Sequence, residues 1–255
     1  MNRTTRSRLL AASVVATLGL FPALAPAAML DFTTGVTPGS TGNWIREDNT
    51  GSNTSGSTIL FVGGLGNGSG SPSATRSLLS FDLSTVPDLA VINSASLVLT
   101  IEANDASSVS SPGETLSLQE LTVTPTVSSN WATSDGSTAW TTPGGDFLPT
   151  VLSTSNAGNP DTTSEGDLFT FASTIDFTAA VQGAVDGDDV LDLIVSAPGL
   201  EDDATRGLFR FNNGFTSASN PTLSLDFTVI PEPASALMVG VGGALLLTRR
   251  YPRQA

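Results

Sequence analysis

Between residues 30 and 229 apolar and polar positions alternate in short runs. In "SASLVLTIEA" Leu97, Leu99 and Ile101 share one side, while Ser96, Val98, Thr100 and Glu102 take the other. In "TLSLDFTV" Leu223, Leu225, Phe227 and Val229 alternate with Ser224, Asp226 and Thr228. A period of two places successive side chains on opposite faces of a strand, so each run predicts a half-buried β-strand. Shorter runs at 58–62, 76–81, 115–123, 168–171, 190–195 and 208–211 follow the same rule. Clusters of Gly, Ser, Asn, Asp and Pro separate them, which gives about eight to ten strands joined by turns. One short helix is expected over 178–185, capped by Asp176 or Thr178. The stretches 63–74 and 152–166 are polar and small, and are expected to be surface loops. Many short strands with one helix predict an all-β fold: an antiparallel β-sandwich of jelly-roll type.

The two ends break this pattern. "MNRTTRSRLLAASVVATLGLFPALAPAAML" places Arg3, Arg6 and Arg8 before an apolar run over 9–20, and then Ala25-Pro26-Ala27-Ala28. That order predicts a secretory signal peptide over 1–28, cut after Ala27 or Ala28, and so export by the Sec route. At the other end 234–248 is apolar or small, shorter than the about 20 residues of a comfortable membrane span. Arg249 and Arg250 follow as a basic stop on the cytoplasmic side. The expected organisation is a leader (1–28), a sandwich (29–229) and a C-terminal address (230–255).

Composition narrows the chemistry. The 255 residues carry a net charge of −14, yet only 13% are charged, against roughly 25% in ordinary globular domains. The ten basic residues are all arginine, and six of them lie in the two ends. The middle is strongly acidic and repels phosphate backbones, which excludes nucleic acid as a partner. There is no cysteine and no histidine, and Tyr251, in the tail, is the one tyrosine. Disulfides, thiolate metal sites and cysteine nucleophiles are excluded, and the usual general bases are missing. An envelope carbohydrate-active enzyme, a glycosidase or lyase, would have to work through two carboxylates. Many acids are present, and nothing in their spacing singles out a pair.

Trp131, Trp140 and Trp44 are the candidate ligand residues, with Asp146 beside the first two. Indole faces stack on sugar rings, and a carboxylate can bond their hydroxyls. The alternative is that the tryptophans fill the end of the sandwich core. Asp186, Asp188 and Asp189, followed by Asp192, form a run of carboxylates of the kind calcium takes, without the register of an EF-hand. A solvated turn after the helix is the expected reading of them, and the calcium-stabilised adhesion module is kept as one alternative. "LEDDATR" reads as a second such turn, with Arg206 as its counter-charge. Arg76 is expected to pair with a neighbouring acid.

The C-terminal stretch "IPEPASALMVGVGGALLLTRR" resembles a PEP-CTERM sorting signal, with Pro231, Glu232 and Pro233 as motif, a short transmembrane helix and a basic tail. The resemblance implies a transient hold at the inner membrane of a Gram-negative bacterium. It further implies processing by an exosortase, a membrane cysteine protease, and delivery to the cell surface or an extracellular polysaccharide matrix. The middle resembles the DNRLRE domain, which is grouped with carbohydrate-binding modules. That likeness is carried by Arg76, Leu78, Leu79, Phe81, Asp82, Leu83, Ser84 and Pro87; by Ser94, Ala95 and Leu97; by Trp131, Trp140, Gly144, Gly145 and Asp146; and by Asp176, Thr178, Val181 and Gln182. It implies a non-catalytic module with exopolysaccharide as partner. Ser80 and Ala184 depart from the family, which often carries a basic residue and a tryptophan there.

Overall fold

The computed structural model describes residues 27–230, apart from 50, 52–53, 55–56, 65–72, 103–113, 159–162, 202–206 and 215–218. The expected leader up to residue 26, the motif Pro231-Glu232-Pro233, and Arg249 and Arg250 lie outside the described residues. Ala25–Ile230 forms one compact unit.

The chain runs through β1 (Ala27–Thr33), β2 (Thr41–Arg46), β3 (Ile59–Gly64), β4 (Ala74–Asp82), β5 (Ala90–Thr100), β6 (Glu114–Leu121), β7 (Phe147–Gly158), β8 (Leu168–Phe171), α1 (Ile175–Val185), β9 (Val190–Ser196), α2 (Pro198–Glu201), β10 (Gly207–Asn212) and β11 (Thr222–Val229). One sheet has the order β1-β11-β5-β8. The other has the order β10-β3-β4-β9-β6-β7, with β2 also paired to β4. Every pair of neighbours within the two sheets is antiparallel. Take β1, β4 to β9 and β11 as eight successive strands. The first sheet then reads first-eighth-third-sixth, and the second reads second-seventh-fourth-fifth. These are the two interleaved Greek keys of a jelly roll. β2, β3 and β10 are additions that widen the second sheet beside β4.

The alternation seen in the sequence sets the packing. Leu97, Leu99, Leu223, Leu225 and Phe227 point between the sheets and are buried. Phe32, Phe81, Phe171, Phe177, Phe209 and Phe211 fill the same interior, each at most 1% exposed. Helix α1 starts three residues before its expected position. Thr174 is its cap, accepting the Phe177 amide at 3.0 Å, and neither Asp176 nor Thr178 serves. Gln182 ties the helix to β5, accepting from Ile92 N at 2.9 Å and donating to Ala90 O at 3.1 Å.

The expected surface loop at 152–166 is a strand in its first half. β7 continues to Gly158, and Leu152 is buried at 4% exposure. Its sequence, "FLPTVLSTSNAG", hides the period because β7 is an edge strand with register shifts against β6. The sandwich also starts earlier than expected. Ala27 and Ala28 pair with Thr228 and Phe227, so the ladder includes the residues at the expected leader cut.

Candidate functional site

The second sheet has two apolar faces. Leu79, Phe81, Leu191, Leu193 and Val195 point into the sandwich. Leu78 and Ile194 point the other way, and with Ile45, Ala74, Leu121, Trp131 and Trp140 they build a second cluster. The cover over this outer face is the long connection 122–146 between β6 and β7.

Arg76 on β4 stands at the margin of that cover. Its Nε and Nη2 donate to the two carboxylate oxygens of Glu201 at 2.9 and 2.6 Å, a bidentate pair. Its Nη1 donates to Gly144 O at 3.0 Å. Its guanidinium lies 5.1 Å from the ring centre of Trp131 and 5.4 Å from that of Phe147. A planar, permanently charged fork can serve all these partners at once. Gly144 makes the approach possible: at φ +94° a Cβ there would stand 2.7 Å from Trp131 Cζ2. The expected ion pair of Arg76 is therefore present. The expectation for Glu201 is corrected: it is buried and paired with Arg76, while Arg206 lies outside the described residues.

Trp131 and Trp140 are core residues, at 6% and 4% exposure. The Trp140 indole N–H donates to Asn130 O at 2.8 Å, so its polar edge is also satisfied inside. Neither indole offers a face for a sugar ring, which corrects the stacking role considered for them. Asp146 is not turned to a ligand either. It accepts the amides of Thr141 and Thr142 at 2.7 and 2.8 Å and anchors the end of the cover. Burial opposes its charge, but those amides win and hold the carboxyl below its ordinary value. Asp135 does the same at the tip, accepting from Ser137 N and Thr138 N at 2.7 and 2.6 Å, and these bonds hold it well below the usual carboxylate range. Trp44 is half-buried, edge-on to Phe61 with 4.7 Å between ring centres, and its indole N–H donates to Ser57 Oγ at 3.2 Å. Of the three tryptophans it keeps the most exposed surface.

The run of aspartates is dispersed. Asp186 caps the end of α1 and accepts from Gln182 Nε2 at 2.9 Å. Asp188 accepts from Val190 N at 3.3 Å, and Asp189 turns the chain at φ 63°. Asp192 lies on β9 and is buried at 9% exposure. Among the described residues no group of three or more His, Cys, Asp or Glu could hold a metal ion. Burial raises the Asp192 carboxyl, hydroxyl bonds from Ser80 and Thr124 pull the other way, and the charge of Asp188 adds to the rise. Glu120 is raised too, by burial and then by Asp192. An open groove of about 510 Å³ runs between β5 and α1, and neither acid lines it. Its walls, among them Asn93, Ser173, Thr174, Ile175 and Thr178, carry no titratable side chain.

Of the residues that carry the likeness to the DNRLRE domain, five hold the fold: Arg76, Trp131 and Gly144 lock the cover, Asp146 anchors it, and Gln182 fastens the helix. No family model matches the chain, and no curated protein matches it. Both likenesses rest on the residues quoted for them. The sequence had no signal for the pairing of Arg76 with Glu201, which lie far apart in the chain. The nearest hint was Arg76 as one of only four arginines between the two ends.

Proposed function

We propose that this chain is an exported, non-catalytic jelly-roll module of a bacterial surface or polysaccharide matrix, sorted by its PEP-CTERM signal through an exosortase. The observation that supports it best is how the candidate chemistry is used. Arg46, Arg76 and Arg210 are paired with Asp48, Glu201 and Glu102, and the two most suggestive tryptophans are inside. What faces solvent mixes hydroxyls, amides and carboxylates with exposed apolar side chains such as Met29, Leu168 and Ile175. Such a surface suits a protein that lives hydrated among polysaccharide chains and acts by presence rather than by turnover. Association with exopolysaccharide then runs through these polar groups and the open part of Trp44. Calcium has no part in this reading.

The test is to express the full chain in an exosortase-bearing Gram-negative bacterium that makes exopolysaccharide, then to measure intact masses in each fraction. The expected product lacks the leader and the tail and lies in the surface or matrix fraction. Pro231→Ala with Pro233→Ala should leave a longer form in the inner membrane. A full-length chain in the cytoplasm, or processing indifferent to both prolines, would sink the reading.

A further inference from the structure

Helix α1 packs beside the start of β5 and leaves an open groove of about 510 Å³ between them. Ile175, Thr178, Ala179 and Gln182 line its helix side, and their spacing puts them on one stripe of α1. Phe177, Val181 and Val185 anchor the other side of the helix in the core. On the strand side β5 carries a bulge. Ser94 faces Asp226 and Ile92 faces Phe227, so Asn93 has no residue opposite it in β11. A bulge bends its strand and re-aims the extra side chain. Asn93 Nδ2 donates to Asp226 Oδ1 at 3.3 Å and to Thr228 Oγ1 at 3.0 Å, which uses both of its hydrogens and leaves Oδ1 as an acceptor. Ser173 Oγ and Thr178 Oγ1 stand 3.2 Å apart. One hydrogen serves that contact, and the other hydroxyl hydrogen is left to donate. At the lip Ile175 is 84% exposed, the most exposed large apolar side chain among the described residues.

Charge decides what such a groove can hold. No titratable side chain lines it, so it offers no carboxylate to a cation and no arginine to an anion. The acidic body around it repels polyanions besides. A purely apolar ligand would leave the amide and hydroxyl groups of the walls without partners. What fits is an uncharged molecule that carries hydroxyls and C–H faces together, and a sugar ring has both. The volume lies within the about 300–1,000 Å³ of small-ligand sites, and the groove is open, so a chain can lie through it. Building on the polysaccharide association above, we propose that the groove between β5 and α1 seats a segment of a neutral polysaccharide. Asn93 accepts from one sugar hydroxyl, the pair of Ser173 and Thr178 donates to another, and Ile175 covers a ring face from the lip. No aromatic ring lines the groove, so the seat holds weakly and exchanges fast.

Methyl resonances test this on the full chain, held in a sugar-free zwitterionic detergent with isoleucine labelled at its δ methyl. Neutral hexasaccharides of glucose, of mannose and of galactose are titrated to about 10 mM, past the Kd of about 1 mM expected of a weak seat. Oligogalacturonate and an uncharged Gly-Thr peptide run beside them. At least one neutral sugar should shift Ile175 and Ile92 saturably, with a Kd that changes less than about twofold between low and high salt, because no charge pair forms. Asn93→Ala and Ile175→Asp should each weaken that sugar about fivefold, the loss of one hydrogen bond or one apolar contact. Both side chains are exposed, and an unchanged melting temperature shows that the fold is intact. Stronger shifts with oligogalacturonate or with the peptide, or a neutral sugar whose Kd ignores both substitutions, overturn the groove. In the last case, loss of binding in Trp44→Ala leaves the polysaccharide association standing with its seat elsewhere. A chain that binds none of the sugars overturns that association, and the groove falls with it.

Discussion

Arg76 is where a single side chain holds two layers together. Its pair with Glu201 is largely withdrawn from water, with 17% and 10% of the two side chains exposed. Removing one partner of such a pair strands the other, at a cost of about 3–5 kcal/mol. Arg76→Met should therefore lose about that much in urea unfolding, and adding Glu201→Leu should recover most of it. Asp192 is the opposite case, a buried carboxylate with no cationic partner among the described residues. Its folded pKa is raised, so the stability it contributes is full below the ordinary value of 3.8 and is lost as pH rises through the folded value. Asp192→Asn keeps the shape and the acceptor but removes the charge. It should raise the melting temperature at pH 7 by about 2–4 °C per kcal/mol relieved, with the gain vanishing near pH 3. A variant that melts lower at pH 7 than the native chain would show that the charge is compensated.

Among the elements, the 122–146 cover is the least independent, since its apolar side chains need the second sheet beneath them. Truncating a buried tryptophan typically costs about 3–5 kcal/mol. Trp131→Ala should lose that much and expose the outer face of β4 and β9 to hydrogen exchange. Acid should loosen the same element first. Asp135 and Asp146 have lowered pKa values, so the stability they contribute is present above 3.8 and is lost as pH falls below it. Two of the three tryptophans sit in the cover. Their emission should shift to the red below pH 3.8 before the far-ultraviolet signal of the strands changes, and simultaneous loss of both signals would argue against a separate step. The elements differ in how much of them the sequence discloses. β5, β9 and β11 are legible because leucines and phenylalanines mark their inner faces. β7 is not, because an edge strand of Ser, Thr and Asn satisfies a ladder without an apolar stripe. The burial of Trp131 and Trp140 was one of two open readings, since local pattern does not say whether a polar loop folds back over a sheet.

At the scale of the whole molecule, charge is the dominant asymmetry. Of the 24 acids only Glu232 lies outside residues 27–230, and four of the ten arginines lie inside, which leaves this body at −19. Repulsion of that size weakens the folded state at low ionic strength and is screened by salt. Raising sodium chloride from about 10 mM to 150 mM, where the Debye length falls to about 8 Å, should raise the melting temperature by a few degrees. Calcium at equal ionic strength should add nothing further, and a larger calcium shift would point to a bound ion.

The pairing of β1 with β11 also has a mechanical meaning. The chain enters along β1 and leaves along β11 at the same end of one antiparallel pair. A load applied between these two points does not shear the strands past each other. It unzips them rung by rung, so the bonds carry the force one after another rather than together. A module held in this way yields at its seam under a small steady pull, and the first strands to part are the two that close the sheet.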